Sequence, residues 1–173
     1  MEKTKGGDRY DRICGVSIQI LGAAMAFFHL YTALMGTLTG TCQTALHLLF
    51  IGLIYYLGYQ SKNERWKTVT RIFNLVFAAG MAVSLGYNII ANKKLMMRMM
   101  QVDKVTTLQV ILGILLIVSV LELTRRCLGM AMPIIAIIFI LYAFTAKYMS
   151  GVLYFKGIGL DRFVEQMYLT FQG

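Results

Sequence analysis

Five long apolar runs dominate this sequence and limit what it can fold into. A helix crosses the hydrocarbon core of a bilayer with about 17 to 25 residues, each adding about 1.5 Å. Hydrocarbon offers the backbone no hydrogen-bond partner, and the alternating pattern of a β-barrel is missing from these runs. They therefore predict five transmembrane helices, over residues 13–36, 44–59, 72–91, 105–123 and 130–149.

The composition excludes a water-soluble chain. Hydrophobic residues make up 58% of the 173 residues and charged residues only 14%, whereas a soluble domain has about 25% charged residues. Disorder is excluded too, because disordered chains are poor in apolar residues. We predict an all-α, polytopic integral membrane helical bundle. Residues 1–12 form a cytoplasmic tail, 13–149 the transmembrane bundle, and 150–173 an amphipathic tail or connector.

The basic residues set the expected orientation. With the N-terminus in the cytoplasm, the inside segments hold ten lysines and arginines and the outside segments hold seven. The first loop, residues 37–43, holds no charge. Cytoplasmic loops of membrane proteins carry an excess of positive charge. We therefore expect a cytoplasmic N-terminus, and we read the net charge of +9 as a record of orientation rather than of a nucleic-acid partner.

The third connector, residues 92–104, fits this orientation least well, because its four positive charges would face outward. Residues 93–100 mix lysine and arginine with leucine and methionine, a combination typical of a helix that lies in the membrane interface. We expect a short helix on the bilayer surface here.

The tail carries a helical amphipathic pattern. Its apolar residues recur at spacings of three, four, seven, eight and eleven, which places them on one face of a helix. Such a helix is too polar on its other side to span, so it lies in the interface or packs on a partner. The apolar face comprises Leu160, Phe163, Val164, Met167, Tyr168 and Phe171, and the polar face comprises Asp161, Arg162, Glu165 and Gln166.

Two histidines lie in the first two runs, where ionisable side chains are costly and are therefore functional candidates. His29 and His47 are about seven and three residues from the loop between their helices, so their depths differ by about 6 Å. Facing histidines can ligate a b-type haem. The more ordinary interpretation is that each imidazole forms a hydrogen bond to a neighbouring helix.

Glu122 lies near the end of the fourth run, just before Arg125 and Arg126. Spacings of three and four place all three side chains on one helix face, so we expect the carboxylate to pair with both arginines. A proton-relay role is the alternative, but it needs a chain of such groups, and no other carboxylate lies at depth in the runs.

Small and polar residues inside the runs predict close packing between helices. Asparagine and glutamine often form hydrogen bonds between helices, and glycine lets backbones approach. The candidates are Asn74, Asn88, Gln19 and Gln109, with Gly52, Gly80, Gly86 and Gly113. The cysteines, Cys14, Cys42 and Cys127, are too far apart to suggest a disulfide framework or a metal pair.

The single proline argues against a transporter core. Transport sites are built on discontinuous helices, which are marked by glycine or proline interruptions in two related halves of the sequence. Pro133 lies at the start of the fifth run, where proline is tolerated, and the sequence has no paired halves. We therefore expect neither an enzyme nor a chain that translocates a solute by itself.

Several of these segments resemble the N-terminal, small-subunit part of TRAP (tripartite ATP-independent periplasmic) transporter permeases, in the fused form that works with TAXI-type binding proteins. The similarity runs in order from about Phe27 to the end. It is carried by Phe28 to Ala33 with Tyr31, Gln43 to His47, Leu121 to Arg126 with Gly129, Pro133 to Ala136, Leu141 to Ala143, and a tail with Lys156, Gly157, Arg162 and Tyr168 to Thr170.

The resemblance implies a role and a set of partners. In this family a large subunit holds the organic acid and the sodium ions and moves as an elevator, while the small subunit is a fixed scaffold. The implied partners are the large permease subunit, fused or separate, a periplasmic substrate-binding protein, and the lipids of a bacterial inner membrane. No cofactor is expected in this chain, and sodium is expected on the large subunit.

Two features depart from the family pattern. The family's small subunit has four spans, so the fifth predicted span is assigned to the connection with the large part. The fused proteins also continue beyond the position of Gly173. The expected docking points for the binding protein are the first loop and the outer face after Met149. A haem-binding redox anchor and a free-standing structural membrane protein are the alternatives.

Overall fold

The computed structural model describes residues 5–38, 41–59, 64–99 and 102–170. Within these ranges the chain is helical and contains no β-strand, which confirms the all-α prediction. The chain divides into two compact units, Met1–Ile90 and Ala91–Gly173. The boundary falls at the start of the third connector, although no stretch rich in proline, serine or glycine marks it.

The first unit contains three helices: α1 (Lys5–Met35), α2 (Cys42–Gly58) and α3 (Glu64–Ile90). Helix α1 begins at Lys5, within the segment predicted as a tail, and it ends where Gly36 adopts a positive φ of 98°. A side chain rarely adopts that conformation, so the glycine terminates the helix.

The second unit contains α4 (Asn92–Met96), α5 (Thr107–Leu128), α6 (Ala131–Thr145) and α7 (Leu160–Val164). Helix α7 continues directly into a π-helical turn, Glu165–Leu169, which we call the π-turn. Two short 3₁₀ turns, Ala146–Tyr148 and Gly151–Leu153, lie between α6 and α7.

Four helices are long and apolar enough to cross a membrane, over Arg12–Met35, Trp66–Ile90, Thr107–Leu128 and Ala131–Tyr148. They correspond to the first, third, fourth and fifth predicted runs. The second run forms α2, an apolar helix of only 17 residues. At about 1.5 Å per residue, α2 is somewhat shorter than the ~30 Å hydrocarbon core.

A regular seam joins α2 and α3. On α3 the buried residues Asn74, Ala78, Met81, Leu85 and Asn88 recur at alternating intervals of four and three, the spacing of knobs-into-holes packing. Gly52 of α2 lies opposite Met81, and a Cβ at Gly52 would be 2.5 Å from the Met81 methyl carbon. The glycine therefore lets the two backbones approach, as predicted.

Hydrogen bonds hold both ends of this seam. The Thr41 hydroxyl donates to the Asn88 side-chain carbonyl at 2.7 Å. At the other end, the Asn74 side-chain amide donates to the Tyr59 carbonyl at 2.7 Å. Both asparagines are buried. They thus have the interhelical role that the sequence predicted, and they fix the register of α2 against α3.

The buried stripe of α5 organises the second unit. Its members follow the same spacing of about three and four, and α6, α7 and the π-turn pack against α5. A Cβ at Gly113 would be 2.5 Å from Val164 Cγ1, so the tail lies directly on the helix backbone here. The stripe comprises Gln109, Gly113, Leu116, Ser119 and Leu123.

The predicted close approach at Gly86 was wrong. Gly86 has no neighbour within 4 Å of the position a Cβ would occupy, so it does not mediate a close approach. The third connector contains a short helix, Asn92–Met96, as expected, and its position at a membrane surface stays a prediction. Leu95 is buried, and the Arg98 side chain is only 10% exposed and forms an ion pair with Glu165.

The tail contains the short helix α7 and the π-turn, and the burial of its residues differs from the predicted faces. Phe163, Val164 and Tyr168 are buried, whereas Leu160 and Met167 are about half exposed. Glu165, predicted on the polar face, is buried. A π-helical turn departs from the 3.6-residue period that the prediction assumed, so it changes which residues share a face. Phe171 lies outside the described residues.

Candidate functional site

The two histidines predicted to lie close together are in direct contact. Their rings are 4.9 Å apart between centroids and cross at 76°. Nε2 of His29 is 2.8 Å from Nδ1 of His47, a hydrogen-bond distance. The ring of Phe28 packs edge-on against His29 and also lies 6.0 Å from the ring of Phe50. A polar contact with aromatic neighbours therefore joins α1 to α2.

A backbone contact determines the proton positions in this pair. Nδ1 of His29 is 2.7 Å from the carbonyl oxygen of Met25. A carbonyl can only accept, so Nδ1–H of His29 is the donor. In a neutral His29 the other nitrogen, Nε2, then accepts the proton of Nδ1–H of His47. The two hydrogen bonds therefore point in one direction: His47 donates to His29, and His29 donates to the backbone of α1.

This arrangement fits interhelical hydrogen bonding and does not fit haem ligation by the pair. Two axial histidines would each have to direct a ring nitrogen at an iron atom between them. Here the facing nitrogens are hydrogen-bonded to each other at 2.8 Å. Among the residues that the structure describes, no group of three or more His, Cys, Asp or Glu could hold a metal ion.

We expect the single substitutions His29→Phe and His47→Phe each to lower the stability of the chain in detergent by about 0.6 kcal/mol, the average for interhelical hydrogen bonds in a membrane protein. Each variant removes the same bond, so the double variant should lose little more than either single variant. Thermal unfolding of the four proteins measures this. Fully additive losses would contradict the shared hydrogen bond.

The predicted cluster at the end of α5 is confirmed. The Glu122 carboxylate accepts hydrogen bonds from Nε and Nη2 of Arg125 at 2.7 and 2.8 Å, and a further one from Nε of Arg126. The Arg126 side chain is buried, whereas that of Arg125 is about half exposed. One carboxylate facing two guanidinium groups leaves a net positive charge at this end of α5. Positive charge at a span end is the pattern that sets orientation.

Three residues of the predicted apolar face, which are candidates for a structural or interface role, differ in exposure. Phe163 is buried, with its ring 5.2 Å from that of Phe144 in α6. Tyr168 is buried against α5, with Cβ 3.4 Å from the position of a Cβ at Gly113. Only Met167 is substantially exposed. The tail therefore packs on its own unit, and Met167 alone of the three is accessible to a partner.

A largely buried ion pair between Arg98 and Glu165 was not predicted from the sequence. Nε of Arg98 donates to Oε1 of Glu165 at 3.2 Å, and the two side chains are only 10% and 7% exposed. Nη1 donates to the Gln109 side chain at 3.2 Å, and Nη2 donates to the Asp103 carbonyl at 2.7 Å. Arg98 thus connects the third connector, the start of α5 and the π-turn.

A cavity of about 460 Å³ lies beside this ion pair. The lining contains both acidic and basic side chains, so the cavity does not offer a ligand a uniformly positive or uniformly negative surface. The charged lining residues are Asp103, Lys104, Asp161, Arg162 and Glu165. We call Arg98 and its partners Asp103, Gln109 and Glu165 the Arg98 cluster, and we interpret the cavity as the open side of this cluster.

Tyr31, a candidate from the segment that resembles the TRAP family, is exposed. It lies on α1, most of whose surface is not buried within this chain. Three of the polar sites in the described residues join different segments of the chain: the histidine pair, the two asparagine contacts and the Arg98 cluster. The Glu122 cluster lies within α5 alone. Comparison of the chain with protein-family models, with curated proteins and with solved structures found no match.

Proposed function

We propose that this chain is a non-catalytic membrane scaffold, similar to the small subunit of a sodium-coupled, binding-protein-dependent secondary transporter for organic acids. In this role it anchors the large, elevator-type permease subunit in a bacterial inner membrane. The substrate and the sodium ions bind to the large subunit. The chain lies with its N-terminus in the cytoplasm, and α2 is a fifth, short membrane crossing.

The main support for this proposal is the large exposed surface of α1 and α6, two helices that are long enough to span a membrane. Only 6% of the apolar span in α1 and 11% of that in α6 is buried within the chain, against 39% for α3. Large side chains such as Phe27, Leu34 and Phe139 are more than two-thirds exposed. Surfaces of this kind suit contact with lipid and with the helices of a larger partner.

The internal contacts support a fixed role rather than a moving one. The register of α2 against α3 is held by hydrogen bonds at both ends and by a glycine at its centre. Pro133 is the third residue of α6, a position that proline tolerates without breaking the helix. A scaffold beside an elevator must resist deformation, and continuous helices with a fixed register do so.

The first loop is the proposed docking point for the periplasmic binding protein. It is uncharged, and it joins α1 to α2 on the side opposite the proposed cytoplasmic N-terminus. The Gln43 side chain accepts a hydrogen bond from the Leu38 amide at 3.1 Å. This bond joins the described residues on either side of the loop's centre, and it supports a docking role for this end of α1 and α2.

Purification and reconstitution test the proposal. The intact chain, tagged and extracted from native membranes, should co-purify with a large polytopic permease. Liposomes with both proteins and the binding protein should show organic-acid uptake driven by a sodium gradient, and liposomes with this chain alone should show none. Sodium-driven uptake by this chain alone would refute the scaffold role. A complex that remains fully active after this chain is removed would also refute it.

The same purified sample addresses the alternatives. A redox anchor would show the Soret absorbance of a bound haem, and a free-standing structural protein would purify without a permease partner. The direct hydrogen bond between His29 and His47 favours the scaffold over the redox anchor. We expect a spectrum without a Soret band.

A further inference from the structure

The segment after α6 folds back on the end of that helix. We call Tyr148–Phe155 the aromatic loop. Its sequence, Tyr-Met-Ser-Gly-Val-Leu-Tyr-Phe, contains no charged residue, and Lys147 and Lys156 flank it on either side. Four large apolar or aromatic residues at its two ends and two more at its centre make it unusually hydrophobic for a segment that is not part of a regular α-helix.

Hydrogen bonds fix this loop to the end of α6. The amide of Phe155 donates to the Ala146 carbonyl at 3.4 Å, and the amide of Ile158 donates to the Ala143 carbonyl at 3.2 Å. The Tyr142 hydroxyl donates to the Leu153 carbonyl at 3.0 Å. Gly157, at φ 77°, packs against the side chain of Lys147. The loop therefore has a defined position at the end of the helix.

The apolar side chains of the loop point away from the protein. Val152 is fully exposed, Tyr148 is 80% exposed, and Leu153 and Tyr154 are about 60% exposed. Because the backbone is held by hydrogen bonds, these side chains are presented outward rather than folded into a core. In water, this arrangement would leave several neighbouring apolar side chains without cover.

The position of the loop indicates what covers these side chains. The candidate span Ala131–Tyr148 has 18 residues, about the length of a membrane crossing, and it ends at the first residue of the loop, so a spanning α6 places the loop at the membrane boundary. Irregular backbone exposed to lipid is not tolerated in the hydrocarbon core, which excludes a deeper position. Tyrosines at the level of the headgroups, with lysines beside them, are the usual arrangement at a membrane boundary. Lys147 Nζ lies 4.8 Å from the centre of the Tyr148 ring.

We propose that the aromatic loop is an interfacial membrane anchor. It inserts Val152 and its neighbours into the boundary between lipid headgroups and acyl chains, with Lys147 and Lys156 at the level of the phosphates. It fixes the depth and tilt of α6 at this end. The ligand of this surface is the bilayer itself rather than a soluble protein, so the face after Met149 is not a docking point for a binding protein.

Depth-dependent fluorescence quenching tests this proposal in the full chain. Trp66 is the only tryptophan, so Trp66→Phe provides a silent background. Val152→Trp then reports on the loop, and Ile138→Trp, at an exposed site within α6, is the matched control for the acyl region. Both proteins are reconstituted in vesicles of phosphatidylglycerol and phosphatidylethanolamine with lipids brominated either near the headgroup or near the chain end.

We expect the Val152→Trp emission to shift to shorter wavelength and to lose intensity mainly with bromine near the headgroup, while aqueous iodide quenches it weakly. The Ile138→Trp emission should be quenched mainly by bromine near the chain end. Strong iodide quenching of Val152→Trp without quenching by either lipid would overturn the proposal, because it would show a water-facing or protein-binding loop. Quenching in the Ile138→Trp pattern would also overturn it. Neither result depends on transport, so the scaffold proposal is tested separately.

Discussion

Replacing Glu165 by leucine should destabilise the second unit by about 3 to 5 kcal/mol, the usual cost of removing one partner of a buried ion pair. The guanidinium of Arg98 is only 10% exposed and would remain in place without its carboxylate. Its contacts with Gln109 and the Asp103 carbonyl do not neutralise its charge. We expect a lower unfolding temperature in detergent and faster proteolysis of the tail.

A matched control lies four residues earlier in the tail. Asp161 is an exposed carboxylate of α7, so Asp161→Leu should change stability by much less. The double variant Arg98→Met with Glu165→Leu removes both buried charges and should recover most of the stability lost in the single variant. If Glu165→Leu were as stable as Asp161→Leu, or if the double variant were less stable than the single one, the buried pair would not hold the tail.

The helices could be predicted because the bilayer imposes a length and a composition on each one. The predicted runs overlap α1, α2, α3, α5 and α6. Contacts between residues close in sequence could also be predicted, because helix geometry alone determines them. Glu122 pairs with Arg125 and Arg126 at spacings of three and four. His29 and His47 meet because a short loop places their helices side by side.

Contacts between distant segments could not be predicted in this way. Arg98 and Glu165 are 67 residues apart, and no local pattern relates them. The mixture of basic and apolar residues in the connector indicates an interfacial helix and gives no sign of the partner of Arg98. A 3.6-residue period places Glu165 on the polar face of the tail, whereas in the structure Glu165 is buried beside Arg98 at the start of the π-turn. Arg98 is one of the four positive charges of the connector that the predicted orientation would place outside, and its pairing with Glu165 gives it a role within the protein.

Gly113→Ala should destabilise the second unit although alanine is the better helix former. The new Cβ would lie 2.5 Å from Val164 Cγ1, and valine is a stiff, branched side chain that cannot turn aside easily. Overpacking of this kind costs about 1 to 3 kcal/mol, offset by the gain of up to about 1 kcal/mol from replacing glycine in a helix. The tail would have to move away from α5, so unfolding temperature and tail proteolysis are again the measurements.

Two comparisons separate this steric effect from a general effect of glycine replacement. Gly22→Ala, in α1, has no neighbour within 4 Å of the new Cβ and should be neutral or slightly stabilising. Gly52→Ala would meet only the flexible end of Met81, so it should cost less than Gly113→Ala. Val164→Ala removes the clashing carbon, and the pair Gly113→Ala with Val164→Ala should be no less stable than Val164→Ala alone. Equal losses in Gly113→Ala and Gly22→Ala would show that the tail does not rest on Gly113.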